Sequence, residues 1–446
     1  MAPNFALLVY ILLIVAILRV ESKQKIGVSL SIWIPVLWVM IAASRPLSMW
    51  LYPGTLYEGS GDYESGNPID RVYFSFLIAA GVLVLAKRSI AWREVIGKNS
   101  GVAALILFAG LSVVWSDNAD LSFKRWIRSS GVLISVLIVL TQSDPVEASK
   151  RLLRRCMYVL IPLSVLLVKY FRHLGVGWDY FGNTMWAGVT THKNSLGQLA
   201  CVSAVFFIWS LISDRKYKTP LFWADIFILI MSLWLLNGPG KSTSKTSLML
   251  FLIALCLFVC LRLLSHRPQV VGKFLIIGGI FVLFMEIASS LVFDESASTM
   301  LITSLGRDKT LTGRTFLWDE LMRMASKHSV LGVGYGCFWT GENIVRLEQK
   351  FDWGPSTAHN GFLDVYLDLG FVGIIFLIGF IVQAYRNLMR RLQVEYNYGS
   401  LQVIFFSMSI VYNYSESSYL RPSSLMWITL LLASINIAIP RIRHSP

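Results

Sequence analysis

Residues 293–360 read FDESASTMLITSLGRDKTLTGRTFLWDELMRMASKHSVLGVGYGCFWTGENIVRLEQKFDWGPSTAHN, the longest interval without a membrane-spanning run in an otherwise apolar chain. Arg314 stands in the first half of this segment and His359 stands at its end, directly before the next apolar run. A cation and a histidine therefore belong to one polar module that adjoins apolar runs on both sides. We interpret the rest of the chain as the scaffold that holds this module at a membrane surface.

The composition predicts a membrane protein. Hydrophobic residues make up 55% of the 446 positions and charged residues only 15%, which excludes an ordinary soluble class. Lipid-facing backbone must satisfy its own hydrogen bonds, so the spans are predicted to be helices and the fold an all-α polytopic one. About twelve or thirteen spans are expected, at residues 5–18, 27–43, 71–86, 101–115, 129–141, 156–170, 196–212, 221–236, 246–261, 274–292, 362–384, 401–412 and 424–440.

The net charge of +14 does not indicate a nucleic-acid partner. Lys and Arg occur in short clusters between apolar runs, without a basic domain or an RNA-binding signature. Contact with membrane lipids is sufficient to explain them. The five cysteines do not form a disulfide framework, and neither a metal nor a cofactor is expected.

The basic clusters predict the orientation of the chain. Alternate short connections are all basic, so the positive-inside rule places them in the cytoplasm: residues 19–25, 87–98, 150–155, 215–218, 262–273, 386–391 and 441–443. The first run has basic residues only after it, which predicts an uncleaved anchor with its N-terminus outside. The predicted organisation is an N-terminal bundle of about ten spans over residues 1–292, an external (periplasmic) loop module over 293–360, and further spans over 361–446.

The other connections must then face outwards, at residues 44–70, 116–128, 171–195, 237–245, 293–360 and 413–423. They still hold cations, although topology gives no reason for positive charge on that side. Fixed positive charge there predicts an anionic ligand. The alternative is that these side chains extend to lipid headgroups.

The module contains a predicted amphipathic helix. From Arg314 to His328, apolar residues recur at helical spacing, with acidic residues in the first turns. Thr312 is the expected N-cap, so Arg314 would stand beside helix-start amides that favour anions. Three glycines between 332 and 336 predict a flexible aromatic turn rather than a dinucleotide-binding loop, because no strand precedes them.

Four groups of motifs follow one another on the outer side of this topology: Thr191-His192-Lys193-Asn194-Ser195-Leu196-Gly197, Gly313-Arg314-Thr315 with Trp318, Leu331-Gly332-Val333-Gly334-Tyr335-Gly336, and Ala358-His359-Asn360 with Leu369-Gly370-Phe371-Val372-Gly373. Together they resemble the O-antigen ligase and polysaccharide polymerase superfamily, most densely over residues 185–375. The first motif and the tail at 413–416 are more similar to its exopolysaccharide-polymerase branch.

This resemblance implies a membrane glycosyltransferase of the GT-C structural class. Its members act on undecaprenyl-diphosphate-linked saccharides at the periplasmic face of the bacterial inner membrane. The resemblance further implies inverting transfer without a metal, to a second glycan (polymerase) or to a lipid A core sugar (ligase), with polysaccharide export machinery as a further partner. The chain departs from the twelve spans usual for the ligases, which puts the first run or one short span in question.

Two residues are predicted to be catalytic. Arg314 offers a planar, permanently charged fork to a departing diphosphate. The alternative is a surface arginine on an amphipathic helix. His359 is the predicted base for the acceptor hydroxyl, since imidazole titrates near neutral pH. Here the alternative is a structural histidine that caps the next span.

Further residues are predicted to bind substrate. They share a position on the outer connections and a charged or amide side chain: His192, Lys193, Asn194, Arg125, Arg128, Lys245, Asn360 and Glu416. Arg125 and Arg128 would share a helix face and clamp a diphosphate, or act as ordinary interface arginines. Lys245 belongs to a hydroxyl-rich basic turn that would contact phosphate or be a plain loop. Glu416 would bind sugar hydroxyls, together with Asn413 and Arg421.

Two other function classes compete with glycosyl transfer. A flippase for lipid-linked oligosaccharides would carry charged or broken-helix sites near the bilayer midplane, with inverted repeats. The sequence shows few charges within its runs and no obvious repeat. A non-catalytic assembly partner in a polysaccharide export complex would leave the outer motifs without a task.

Overall fold

A computed structural model describes residues 2–23, 27–52, 66–179, 182–213, 220–240, 242–279, 314–351 and 353–437. In chain order the elements are α1 (Pro3–Ser22), α2 (Trp33–Ala42), α3 (Leu47–Leu51), α4 (Pro68–Ala86), α5 (Trp92–Lys98), α6 (Ser100–Leu111), α7 (Ala119–Leu140), α8 (Pro145–Tyr170), α9 (Arg172–Gly175), β1 (Val176–Trp178), β2 (Thr184–Trp186), α10 (Lys193–Ser213), α11 (Pro220–Asn237), α12 (Lys245–Leu263), α13 (Arg314–Ala325), α14 (Gly341–Lys350), α15 (Gly361–Val394), α16 (Tyr396–Ser415) and α17 (Leu425–Ser434). Short 3-10 turns cover Leu30–Ile32, Ser112–Trp115 and Ser326–His328.

The predicted all-α polytopic class is confirmed. Within the described residues, five helices are long and apolar enough to cross a membrane, namely α1, α4, α10, α12 and α15. A sixth candidate arises if the bent pair of α5 and α6 forms one span, and three shorter apolar helices accompany them. Each predicted run overlaps a helix wherever the structure describes most of it. The total of twelve or thirteen spans stays a prediction, as does the division into three parts.

One small hairpin departs from the all-helical expectation. Strands β1 and β2 pair antiparallel, with Val176 opposite Trp186 and Trp178 opposite Thr184. β-Branched and aromatic residues favour extended backbone, and Gly182 takes a positive φ of 74° between the strands. The hairpin belongs to the connection that leads to the His192 motif.

Side-chain caps explain where several helices begin. The side chains of Asn67, Asn118, Asp144, Ser244 and Asn360 each accept a backbone N–H from the first turn of the following helix. Such caps satisfy amides that would otherwise lack a partner at the helix end. Proline follows directly after Asn67 and Asp144, where its fixed φ suits a first helical residue.

The start of α8 corrects one sequence expectation. Arg154 and Arg155 were expected in a short cytoplasmic connection before a run at 156, but α8 begins at Pro145 and buries both. Arg155 Nη2 lies 2.8 Å from a carboxylate oxygen of Glu21, and Arg154 Nη2 lies 2.9 Å from one of Asp225. Acidic partners on α1 and α11 therefore allow these arginines to be buried.

The polar module has its own hydrophobic core. Helix α13 and the 3-10 turn after it confirm the predicted amphipathic helix from Arg314 to His328. Thr312 and the rest of 293–313 lie outside the described residues. The module's core contains residues from α13, from α14 and from the starts of α7 and α15: Leu121, Leu317, Leu321, Ala325, Val333, Cys337, Phe338, Leu347, Ala358, Tyr366 and Leu367. This packing fixes the module against the ends of two long helices.

A break in α15 ties the module to the bundle. Gly370 has φ 65° and ψ −165° inside the helix, so the regular backbone hydrogen bonds are interrupted there. The N–H of Phe371 donates to Ser329, and the N–H of Gly334 donates to Asp368. Two of the family-like motifs, at 331–336 and 369–373, thus meet along their backbones.

Candidate active site

His359 is held by a network just before α15. Trp318 Nε1 donates to the Ala358 carbonyl at 2.7 Å, and the Ala358 N–H donates to Asp364 at 3.0 Å. Asn360 Oδ1 accepts the N–H groups of residues 362 and 363, so Asn360, not His359, caps the helix. His359 itself has a φ of 49°, a left-handed conformation that a non-glycine residue adopts only under constraint.

The segment that holds His359 also packs closely against Asn413. A Cβ atom at Gly361 would lie 1.9 Å from Asn413 Oδ1, so only glycine fits there. Asn413 is fully buried, donates to Ser409 and Ser418, and accepts the N–H groups of residues 418 and 419. The sequence expectation that Asn413 binds sugar hydroxyls is therefore wrong, because its amide already has partners inside the protein.

Glu416 joins the two predicted catalytic residues. Its Oε2 lies 3.1 Å from His359 Nδ1, and its Oε1 lies 3.1 Å from Arg314 Nη2. Asn194 Nδ2 donates to the same Oε1 at 2.8 Å. Arg314 is the first residue of α13 and also donates to the carbonyl of Ser415. We call Arg314, His359, Glu416 and Asn194 the Glu416 cluster.

The charges in this cluster determine which nitrogen of His359 is free. Burial would raise the pKa of the Glu416 carboxyl, but the hydrogen bond from His359 and the charge of Arg314 bring it below its usual value. Glu416 is therefore ionised at neutral pH and accepts a hydrogen bond from Nδ1–H of His359. Arg314 Nη2 lies 3.4 Å from the same Nδ1 and as a donor favours the opposite tautomer, but the contact of Nδ1 with the ionised carboxylate is shorter, at 3.1 Å, and outweighs it. In the neutral form of the imidazole, this network places the proton on Nδ1 and leaves Nε2 with its lone pair.

A second group of polar side chains lies at the start of α10. Lys193 Nζ lies 3.3 Å from Asp179 Oδ2 and 3.0 Å from Ser242 Oγ, and Ser242 also donates to Asp179 at 2.9 Å. Burial raises the pKa of Asp179, but hydrogen bonds from Asn183, Ser242 and Lys193 lower it to about 2. We call Lys193, Asp179 and Ser242 the Lys193 group.

His192 lies between this group and the Glu416 cluster. Its Nδ1 accepts the backbone N–H of Asn194 at 3.2 Å, and burial lowers its pKa. The imidazole is therefore neutral near pH 7 and serves as a hydrogen-bonding group rather than a cation. Because Asn194 contacts both His192 and Glu416, it joins the two sets of polar residues.

The remaining predicted binding residues have other partners. Arg125 donates to the carbonyl of Gly336, and the Arg128 guanidinium stacks 4.3 Å from the centroid of the Phe74 ring. Lys245 is exposed at the first residue of α12. The two arginines thus have protein partners of their own, and their roles in substrate binding stay predictions, as does that of Lys245.

Sequence reasoning missed Asp179 and Asp364. Asp364 accepts Ala358 N–H and Trp339 Nε1, and it forms a 2.8 Å ion pair with Arg421. That pair gives Arg421 a protein partner, and its role in binding sugar hydroxyls stays a prediction. An acidic residue in the first turn of a predicted span, directly after His359, was the available signal for Asp364. No comparable local signal identified Asp179.

Two comparisons with known proteins relate the chain to a family. Residues 228–378 match the family described as O-antigen ligase, and that range includes Arg314 and His359. The exopolysaccharide production protein ExoQ of Rhizobium meliloti (strain 1021) is 23% identical over 375 residues, which cover 79% of this chain and 81% of that protein. These findings confirm the resemblance that the motifs predicted, and the chain is similar to the O-antigen ligase and polysaccharide polymerase superfamily.

Proposed function

We propose that this protein is a membrane glycosyltransferase of polysaccharide biosynthesis that polymerises or ligates undecaprenyl-diphosphate-linked saccharides. The observation that carries the proposal is the single carboxylate of Glu416, which contacts both Arg314 and His359. Two groups suited to the two halves of a glycosyl transfer, a cation and a base, are thereby held side by side. The likeness to ExoQ supports a product of the exopolysaccharide type.

The length of α15 supports a site at the periplasmic face. This helix begins beside His359 and is interrupted at Gly370, and its continuous part from Phe371 to Val394 extends about 36 Å at about 1.5 Å per residue. A hydrocarbon core is about 30 Å thick, and Arg386, Arg390 and Arg391 stand near the far end of α15. If those arginines face the cytoplasm, as the positive-inside rule predicts, the Glu416 cluster lies across the membrane from them.

His359 is suited to activate the acceptor. The acceptor hydroxyl oxygen attacks the anomeric carbon of the donor, and its proton passes to Nε2 of His359. Glu416 holds Nδ1–H and stabilises the imidazolium that forms, as a carboxylate does in other carboxylate–histidine pairs. Trp353, with its ring centroid 5.9 Å from that of His359, offers an aromatic face to a sugar ring.

Arg314 is suited to receive the leaving group. As the bond between the anomeric carbon and the diphosphate oxygen breaks, its electron pair stays on the undecaprenyl diphosphate. Arg314 uses part of its guanidinium for Glu416 and Ser415, which leaves N–H groups for diphosphate oxygens. Neutral His192 and Lys193 directly precede Asn194 in the chain and would bind the donor or its glycan.

A reconstituted assay tests the proposal. The full chain in liposomes is supplied with an undecaprenyl-diphosphate saccharide, with or without a lipid A core acceptor, and products are followed on gels. Longer glycan from donor alone indicates a polymerase, and product only with the acceptor indicates a ligase. Movement of the donor across the bilayer without a new glycosidic bond would instead favour the flippase.

Variants test the assigned roles. His359→Gln and Arg314→Lys should each reduce transfer at least a hundredfold, on the order of what a positioned base or charge contributes. His328→Gln and Arg323→Lys are matched controls in the same module, on exposed side chains. Normal product from the first pair, with intact expression, would reject the roles.

A further inference from the structure

A cavity of about 330 Å³ lies between residues 268–276 and the last third of α15. Its size falls within the range of small-ligand pockets. The polar side chains that line it are Gln269, Lys273, Tyr385, Arg386, Arg390 and Gln393. Three cations, two amides and a hydroxyl therefore surround one space, and the residues that line it in the described part of the chain include neither Asp nor Glu.

Helical spacing arranges these side chains as two facing rows. Gln269 and Lys273 are four residues apart on the helical stretch 268–279, and Arg386 and Arg390 are four apart on α15, so each pair shares a helix face. The rows are held close together, since a Cβ atom at Gly272 would lie 2.7 Å from the hydroxyl of Tyr385. The absence of a side chain at Gly272 thus lets Tyr385 and Met389 of α15 approach this helix closely.

Carboxylates in the described part of the chain do not pair with the arginines of this cavity. Like charges four residues apart on a helix repel each other, and neither Arg386 nor Arg390 pairs with a carboxylate among the described residues. The neighbouring Arg391 points elsewhere, onto the ring of Tyr398 at 5.8 Å. An anion in the cavity would remove the repulsion and occupy donors that the fold leaves to solvent.

The cavity is remote from the Glu416 cluster. Arg386 lies about 24 Å along the helix from the break at Gly370, at about 1.5 Å per residue, and His359 lies before that break. Near the cavity, Asn387 donates to the carbonyl of Lys98 at 3.2 Å, and Tyr396 donates to the carbonyl of Leu261. Connections that the positive-inside rule places in the cytoplasm therefore meet at this end of the bundle.

We propose that this cavity binds the phosphate group of an anionic ligand, presented by a lipid headgroup of the adjacent leaflet or by a soluble phosphate ester. Two arginine forks and an ammonium group match phosphate oxygens, and the amides and hydroxyl can complete their coordination. Basic pockets between membrane helices are suited to anionic headgroups. The site is separate from the proposed transferase site and does not depend on it.

Binding to the purified full chain tests this proposal. Native mass spectrometry measures adducts of phosphatidylglycerol and of phosphatidylcholine, with glycerol 3-phosphate as a soluble competitor. The variant Lys273→Gln/Arg386→Gln/Arg390→Gln should bind phosphatidylglycerol roughly a hundredfold more weakly. The control Arg19→Gln/Lys87→Gln/Arg93→Gln removes three exposed cations that are also predicted to be cytoplasmic, and it should stay within about threefold of wild type.

The arms of the experiment separate the sources of phosphate. Strong binding of phosphatidylglycerol that glycerol 3-phosphate does not displace identifies a lipid headgroup, whereas full displacement at equal concentration identifies a soluble ester. If the triple variant does not fold, Arg390→Gln alone should weaken binding about fivefold. Equal binding of phosphatidylcholine, or equal losses in the two triple variants, would overturn the proposal.

Discussion

Two buried glutamates in this protein have cationic partners, but they use them differently. Glu320, on α13, is 3% exposed, and its carboxylate contacts Arg323, Arg346 and Lys350, each of which is more than half exposed. Two of these cations belong to α14 and the third to α13 itself. Their charged ends reach water, so Glu320 fastens two surface helices to each other.

Glu416 is surrounded differently. Its partners Arg314 and His359 are 12% and 24% exposed, and with Asn194 they come from three segments far apart in the sequence. Solvent can replace the partners of Glu320 more easily than those of Glu416, because screened surface pairs contribute little whereas a buried charge without its partner is costly. A buried carboxylate with cationic partners thus holds two helices together at Glu320, whereas at Glu416 it joins the proposed base to Arg314.

The largest expected difference concerns the two carboxylates themselves. Glu416→Gln removes the acceptor of His359 Nδ1–H and the charge beside Arg314, so we expect transfer to slow by roughly 10²–10⁴-fold. Glu320→Gln should leave the rate within about threefold, since Glu320 only fastens α13 to α14. Initial rates in the reconstituted assay measure both. A Glu416→Gln variant that keeps more than a tenth of the wild-type rate would contradict the proposed difference between Glu416 and Glu320.

Asn194 offers a finer test of the same cluster. Asn194→Ala removes a hydrogen bond to the ionised Glu416, which should slow transfer roughly tenfold. The pKa of Glu416 should rise, so the acid limb of the pH–rate profile should move to higher pH. Asn194→Asp, which adds a second carboxylate, should shift that limb further still. An unchanged pH profile in both variants would show that Asn194 has only a structural role.

Lys193 should affect binding more than chemistry. It contacts Asp179 and Ser242 rather than Glu416, so Lys193→Gln should raise KM about fivefold and leave kcat nearly unchanged. Steady-state rates over a range of donor concentrations measure the two parameters. If kcat falls as much as kcat/KM, the Lys193 group takes part in the transition state and belongs with the Glu416 cluster.

The smallest expected effect is on stability. Hydrogen bonds with Arg323, against the effect of burial, lower the pKa of Glu320 from 4.5 to about 2. Because the folded pKa is depressed, the stabilisation is complete above pH 4.5 and is lost as the pH falls towards 2. Glu320→Gln should thus cost about 1 kcal/mol at pH 7, and thermal unfolding should show the difference shrinking at pH 3. A difference independent of pH would contradict this assignment.

Local pattern predicted much of the helical structure. The helix from Arg314 and the runs near Leu196 and Phe362 were found from apolar spacing and start signals alone. These features depend on residues a few positions apart, so they could be found without knowledge of the tertiary structure. The hairpin before His192 was missed because two strands of three residues are too short for a periodic signal.

The candidate site was predicted only in part. Arg314, His359, Asn194 and Glu416 were all named from the sequence, but the sequence could not show that one carboxylate bridges the first two. Asp364 and Asp179 were missed, since each acts by holding another segment in place. Asn413 was misassigned because its complete burial depends on the packing of Gly361 against it.

Local sequence patterns are sufficient to specify the membrane class, most helix positions, the amphipathic helix of the module and the residue types that suit phosphate and proton transfer. Tertiary structure alone decided that Glu416 contacts Asn194, 222 residues away, and His359, 57 residues away. It likewise decided that Arg154 is buried and that Arg386 faces Lys273. Helix formation and membrane partition depend on neighbouring residues, whereas contacts between distant segments depend on how the helices pack against one another.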